Sequence, residues 1–243
     1  MRGVKEGKGE ENYSRLKNFA EQLGISLFGM AELGKFNQQV FELSPRAIAG
    51  LDSGISLGVR LSDRIIDDIE SRPTRLYFHH YRQVNNFLDQ TALRITGLIQ
   101  GEGWEALPIP ASQIIDWEKQ RGHLSHKEVA LRAGLGWIGR NNLLVNPDYG
   151  CRVRLVTILT NFPLQCDEPI DRDCGECKDC IAVCPARAIK EKREEFDYLS
   201  CYERLSQFKK EGFVGQYICG ICLKACGGNK GSTSTKTLRG LPR

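Results

Sequence analysis

Eight cysteines crowd between positions 174 and 226, and their spacing is the strongest chemical signal in the chain. The first group runs Cys174, Cys177, Cys180, Cys184 and then Pro185. This is the C-x2-C-x2-C-x3-C-P run of bacterial proteins that carry two [4Fe–4S] clusters. Three thiolates at such short intervals wrap one cubane from a tight loop. The helical turn that follows carries the fourth cysteine toward the other cluster. The second group repeats the arrangement with its first ligand far upstream: Cys201, then Cys219, Cys222 and Cys226. Crossing the fourth cysteines uses all eight. One cluster takes Cys174, Cys177, Cys180 and Cys226, and the other takes Cys184, Cys201, Cys219 and Cys222. Paired C-x2-C units also build zinc ribbons. A four-ligand zinc site leaves the third cysteine of each run and the C-P step without a purpose. Cys151 and Cys166 stand outside the pattern and read as buried or incidental thiols.

The rest of the composition is that of a soluble globular protein. Of 243 residues, 41% are hydrophobic and 26% charged, and the net charge of +4 is too small to argue for nucleic acid by itself. The first 150 residues contain no cysteine, which a secreted disulfide scaffold would not show. No apolar run of about 18 residues appears, so no membrane partner is expected. The N-terminus lacks the apolar segment of an export signal, so the expected setting is the reducing cytoplasm.

These cysteines need elements to hold them. Leu16, Phe19, Ala20 and Leu23 follow a helical period that Gly24 ends. Gly54 to Leu61 alternates like a strand, and Trp104 to Pro110 is a shorter strand candidate. Val84, Phe87, Leu88, Ile95, Leu98 and Ile99 form the apolar stripe of a long helix stopping near Gly101. His126 to Ala133 is helical, Asn146 to Gly150 is a turn, and the β-branched run Val153 to Thr160 is the best strand. The expected class is α+β overall. A loose, Gly-rich arm (1–11) precedes an α/β domain (12–165). A two-[4Fe–4S] ferredoxin-like domain follows (166–229), then a disordered tail (230–243).

Gly134-Leu135-Gly136-Trp137-Ile138-Gly139 matches G-x-G-x-x-G but lacks the context of a dinucleotide site. A helix-like stretch precedes it, a strand-like one follows, and Leu159 stands about twenty residues on where an acid belongs. The glycines serve either a close approach to something flat or tight turns. Trp137 is equally a stacking residue or a core residue. His126 reads as a helix-start histidine behind Ser125 as the cap.

The stretch Ala133 to Asn141, then Leu143 to Gly150, then Leu159-Thr160, resembles the epoxyqueuosine reductase family. These are cobalamin-dependent iron–sulfur enzymes akin to reductive dehalogenases. The similarity continues through Cys174 to Pro185 and through Cys201, Tyr202 and Cys219 to Cys226, covering roughly residues 50–228. It implies an N-terminal domain of flavin-reductase-like character that holds a corrinoid, with Gly134, Gly136, Trp137 and Gly139 as its cofactor-binding candidates. It also implies a ferredoxin-like domain that feeds the corrinoid electrons. There are three departures from the family. The segment expected to carry an acid reads Pro108-Ile109-Pro110-Ala111-Ser112, with Asp116 the nearest carboxylate. Gly227-Gly228-Asn229 replaces Pro-Trp-Asn after the second cluster. The helical-repeat extension that helps grip tRNA is not expected here. The expectation is therefore a short paralogue with no tRNA partner. It would relay low-potential electrons from a donor such as a ferredoxin or flavodoxin to a corrinoid or small-molecule substrate. The alternative is a non-catalytic ferredoxin-like partner of another enzyme. No catalytic residue is assigned.

Overall fold

The computed structural model describes residues 2–34, 42–118 and 120–228, with side chains from Gly7 onward. The elements run α1 (Arg2–Gln22), β1 (Leu27–Glu32), α2 (Pro45–Ile48), β2 (Ser53–Arg60), α3 (Asp63–Asp67), α4 (Arg75–Gly101) and β3 (Ala106–Ile109). They continue with α5 (His126–Arg132), β4 (Trp137–Ile138), β5 (Leu144–Val145), β6 (Val153–Thr160), α6 (Asp179–Val183), α7 (Tyr198–Lys210) and α8 (Ile221–Ala225). A four-stranded sheet has the order β1-β2-β6-β3, and β4 and β5 form a separate two-stranded ribbon.

All four strands of the main sheet pair antiparallel, which corrects the α/β expectation for this part of the chain. Alternation of helices and strands does not by itself set strand direction. β2 pairs with its neighbour β1, and β6, arriving last, slots between β2 and β3. The class is therefore α+β here as well. β6 coincides with the expected strand 153–160, and its β-branched residues suit a position buried on both faces. Its side chains alternate between layers. Ile158 joins the cluster under α4, and Leu159 joins the cluster under α5. Pro108 lies in the edge strand β3, where its missing N–H is tolerated.

The expected loose arm is also corrected, because α1 starts at Arg2. Gly7 and Gly9 suggest flexibility when only local propensity is considered. The later segment 163–167 straps the helix down. Gln165 N donates to Gly9 O (3.2 Å), Asn12 Nδ2 donates to Pro163 O (2.9 Å), and the Tyr13 hydroxyl donates to the Asp167 carboxylate (2.9 Å). Asp167 also ties in β1: its Oδ2 accepts from Met30 N (2.8 Å), and its own N–H donates to Met30 O (2.8 Å). The expected tail at 230–243 lies outside the described residues. Among those described, no helix is long and apolar enough to cross a membrane.

One hydrophobic cluster runs from Leu16 and Met30 through Leu88 and Ile158 to Phe208, Ile218, Ile221 and Leu223. It joins the sheet to the cysteine-bearing segment. A polar clamp reinforces this junction. Arg152, at the foot of β6, donates to Asp63 (2.9 Å) and to Lys224 O (3.0 Å), and pairs with Asp67 (2.9 Å). Lys224 in turn donates to Asp67 O and Ile69 O.

Candidate functional site

The cysteine segment is built on two short helices, α6 and α8, packed against each other. Each carries one cysteine in its first turn, Cys180 and Cys222, and ends with another as its C-cap, Cys184 and Cys226. The two caps leave their helices in the same extended conformation, at φ −69° and ψ 112° for Cys184 and φ −86° and ψ 105° for Cys226. Their N–H groups make matching 3.3 Å bonds to Ile181 O and Leu223 O. The loose internal duplication of the sequence is thus a repeated turn–helix–cap unit. Cys201 comes from α7, which starts on an Asp197 cap accepting from Ser200 N (3.0 Å).

Sulfur crowding shows which thiols lie near one another. Burial pushes Cys180 up to about 11, and the sulfurs adding to this are Cys226, Cys174 and Cys177. Burial likewise pushes Cys201 and Cys219 up to about 11; Cys184 adds to both, and Cys201 adds to Cys219. Cys222 is raised further, by burial and then by Cys219, Cys201, Cys184 and Cys180. Cys226 moves the opposite way because its sulfur accepts a hydrogen bond from the Cys151 thiol. Among the described residues, no three His, Cys, Asp or Glu side chains converge as a single metal ion would require.

A cavity of about 460 Å³ lies between the sheet and the cysteine segment. Cys184, Cys201, Cys219 and Cys222 line one side, and Tyr77, Tyr81, His126, Lys127 and Arg154 line the other. The Arg154 guanidinium lies 4.4 Å from the centre of the Tyr81 ring and donates to Asn85 Oδ1 (2.9 Å). The Tyr81 hydroxyl meets Ser112 Oγ at 2.9 Å. Burial raises the Tyr81 pKa, but Arg154, helped by Ser112 and Asn85, outweighs it and the net shift is downward. Burial draws Lys127 down to about 8, with Glu128 opposing, and its ammonium donates to Asn142 O (2.9 Å). Asp116 is not among the lining residues. Arg154 and Tyr81 were missed from the sequence. A lone arginine inside the apolar run of β6 was the available signal.

His126 does not follow the capping expectation, since Ser125 makes no side-chain cap bond. The imidazole instead bridges Pro110 O through Nε2 and Thr157 Oγ1 through Nδ1, both at 2.9 Å.

Gly134, Gly136, Trp137 and Gly139 do not line the cavity. The chain itself fills the space beside them. A Cβ on Gly134 would stand 2.5 Å from Glu168 O, and one on Gly136 would stand 2.1 Å from Val145 O. On Gly139 it would meet Val145 Cγ2 at 2.7 Å and Cys174 Sγ at 3.4 Å. Trp137 is 6% exposed within the main hydrophobic cluster, and its indole N–H has no partner among the described residues.

No protein-family model matches the chain. Among curated proteins, it is 36% identical over 120 residues to an epoxyqueuosine reductase of Bacillus anthracis, covering 45% of this chain and 31% of that protein. It is 26% identical over 261 residues to an epoxyqueuosine reductase of Cyclobacterium marinum, covering 96% of this chain and 84% of that protein. The alignments to the first curated relatives span 31% of their length. Among solved structures, a catabolic reductive dehalogenase superposes with a TM-score of 0.71 at 18% identity, over 90% of this chain and 32% of the other. An epoxyqueuosine reductase solved with a tRNA-Tyr epoxyqueuosine-modified stem loop superposes with a TM-score of 0.61 at 18% identity, over 91% of this chain and 66% of the other. This neighbour corrects the expectation that tRNA is no partner. That expectation weighed net charge and a missing extension, yet the part matched here is most of a protein that was solved with the RNA. The chain is thus a relative of the epoxyqueuosine reductases, with a mixed helix-and-sheet fold like theirs and like that of reductive dehalogenases.

Proposed function

We propose that this chain is an oxidoreductase of the epoxyqueuosine reductase kind. It passes low-potential electrons through two [4Fe–4S] clusters to an acceptor in the cavity. One observation carries the reading: Cys184, Cys201, Cys219 and Cys222 line the same cavity as Tyr81, His126 and Arg154. The donor set suits the clusters. Thiolates are soft ligands, and the eight thiols fall into two neighbourhoods of four. A cubane takes one sulfur per iron, so its ligands surround a volume and do not converge on a point. When bound, such clusters supply one-electron transfer at potentials set by exposure and hydrogen bonding.

Residues 12–165 act in this reading as the acceptor domain and 166–229 as the cluster domain. Cys177 is exposed, whereas Cys219 and Cys222 face the cavity. Electrons from a ferredoxin or flavodoxin therefore enter at the first cluster and leave at the second. Tyr81, with Arg154 drawing its pKa down, holds a proton at the phenol oxygen beside the acceptor. His126 keeps the 110–112 turn against β6 through its bond to Pro110.

The glycine stretch that the family resemblance offers to a corrinoid does not fit one, because the chain's own backbone fills the space beside Gly134 and Gly136. The cavity, at about 460 Å³, suits drug-sized molecules, for which roughly 300–1,000 Å³ is usual. The acceptor chemistry that the relatives point to is the epoxide of epoxyqueuosine in tRNA.

The test is anaerobic reconstitution followed by turnover. About eight iron and eight sulfide per chain are expected, as two cubanes require. With a reduced low-potential donor, tRNA carrying epoxyqueuosine should yield queuosine. Stoichiometric zinc without broad visible absorbance would overturn the cluster reading. Clusters that exchange electrons with the donor yet reduce no acceptor would favour the non-catalytic relay.

A further inference from the structure

We infer that Gly139-Arg140-Asn141, together with Cys151, forms the outer bracket of the first cluster and sets its reduction potential; this rests on the cluster reading above. Arg140 reaches across the chain to the first cysteine loop. Its guanidinium donates to Gly175 O (2.7 Å), Cys177 O (3.0 Å) and Glu191 O (2.6 Å). Two of these carbonyls belong to the loop between Cys174 and Cys177, so one planar fork fixes the loop and places a permanent positive charge beside it. Gly139 lies in contact with the same loop, its Cβ position 3.4 Å from Cys174 Sγ, and its missing side chain leaves room for Val145 and the Asn141 amide, at 2.7 and 3.0 Å from that position.

Asn141 completes the bracket from the other side. Its amide donates to Cys151 Sγ at 3.1 Å, in a buried setting where Cys151 is 2% exposed. Close backbone packing sets Cys151 beside Cys226, for a Cβ on the adjoining Gly150 would stand only 2.2 Å from Cys226 O. The ninth cysteine is thus placed to donate a hydrogen bond to a ligand of the first cluster, in keeping with the opposite pKa shifts of the two thiols. Gly139, Arg140 and Asn141 stand beside Cys174, Cys177 or, through Cys151, Cys226; none of these three ligands lines the acceptor cavity, although Asn141 and Cys151 do.

Reduction adds one negative charge to a cluster. A nearby guanidinium and a hydrogen bond to a ligand sulfur both favour the reduced form and so raise the potential. The experiment is an anaerobic redox titration of the reconstituted protein, following each cluster by electron paramagnetic resonance, with iron analysis alongside. Arg140→Gln and Cys151→Ala are each expected to make the first cluster at least tenfold harder to reduce, about 59 mV lower for a one-electron couple. The second cluster should not move. Arg140→Lys, which keeps the charge, and Cys151→Ser, which keeps a donor, should recover most of the shift. Selective loss of the first cluster's iron in Arg140→Gln would equally support the bracket. Full iron with neither potential moved, or with both moved alike, would overturn it. Wild-type protein that holds no iron would instead overturn the cluster reading beneath it.

Discussion

His126 is held at both ring nitrogens, and the partners decide its protonation. A carbonyl can only accept, so Nε2 carries the proton toward Pro110 O, leaving Nδ1 to accept from the Thr157 hydroxyl. That is the neutral ring. Burial lowers its pKa to about 4, with Pro110 opposing and the Arg154 charge adding. The unfolded chain therefore protonates first as pH falls, near the usual value of about 6.5. The contribution is complete above that pH and is lost as pH falls from 6.5 toward 4, with an upper bound of about 3 kcal/mol. Denaturation midpoints measured from pH 7 to pH 5 should fall more steeply for the wild type than for His126→Gln, and equal slopes would contradict this. The cysteines make a second prediction at this scale. Cys184→Ser should extinguish the same paramagnetic signal as Cys219→Ser, and Cys226→Ser the same signal as Cys177→Ser. If Cys184→Ser and Cys177→Ser lose one and the same signal, the crossing is wrong. The cysteine pattern was legible because its ligands sit at short, regular intervals. The roles of Tyr81, Arg154 and Arg140 were not. Their partners lie far off in sequence: Ser112, Asn85 and the 174–191 loop.

β6 is the element on which the two layers of the core meet. Ile158 is fully buried and faces the cluster under α4. Ile158→Ala removes that contact and leaves a cavity, so a loss of about 2–5 kcal/mol in chemical denaturation is expected. A loss under about 1 kcal/mol would mean that the core collapses around the gap. This strand could be read in advance because β-branched residues in unbroken succession fit few other settings. The long helix α4 was legible too and ends at Gly101 as expected; Val84, Leu88, Ile95 and Ile99 of its expected stripe are buried, whereas Phe87 and Leu98 are exposed. β1 was not, since four successive buried residues in Leu27–Glu32 show no alternation. Nor was the start of α1, whose three glycines speak against a helix until the strap at 163–167 is in place. Local propensity was overruled there by contacts about 150 residues away in sequence.

At the scale of the molecule, the expected boundary near residue 166 coincides with a densely bonded strap. The main hydrophobic cluster passes from Leu88 and Ile158 straight into Phe208, Ile218 and Leu223. The Arg152 clamp bonds the foot of β6 to α3 and α8 in the same region. Two parts that share one apolar core cannot each expose their face without losing the burial that holds the other, so their unfolding should be coupled. Cluster binding couples in as well. A group that binds only the folded chain stabilises it in proportion to the logarithm of its concentration over its dissociation constant. Seven of the eight thiols are buried or half-buried, and they bring repulsion and desolvation that iron would relieve. Calorimetry should therefore show one unfolding transition in the reconstituted protein. In anaerobically prepared apoprotein that whole transition should move to lower temperature. Circular dichroism of the sheet and visible absorbance of the clusters should be lost together. Two transitions, with the sheet melting at the same temperature with and without iron, would mean that the halves are independent and that the shared cluster of side chains carries little of the stability.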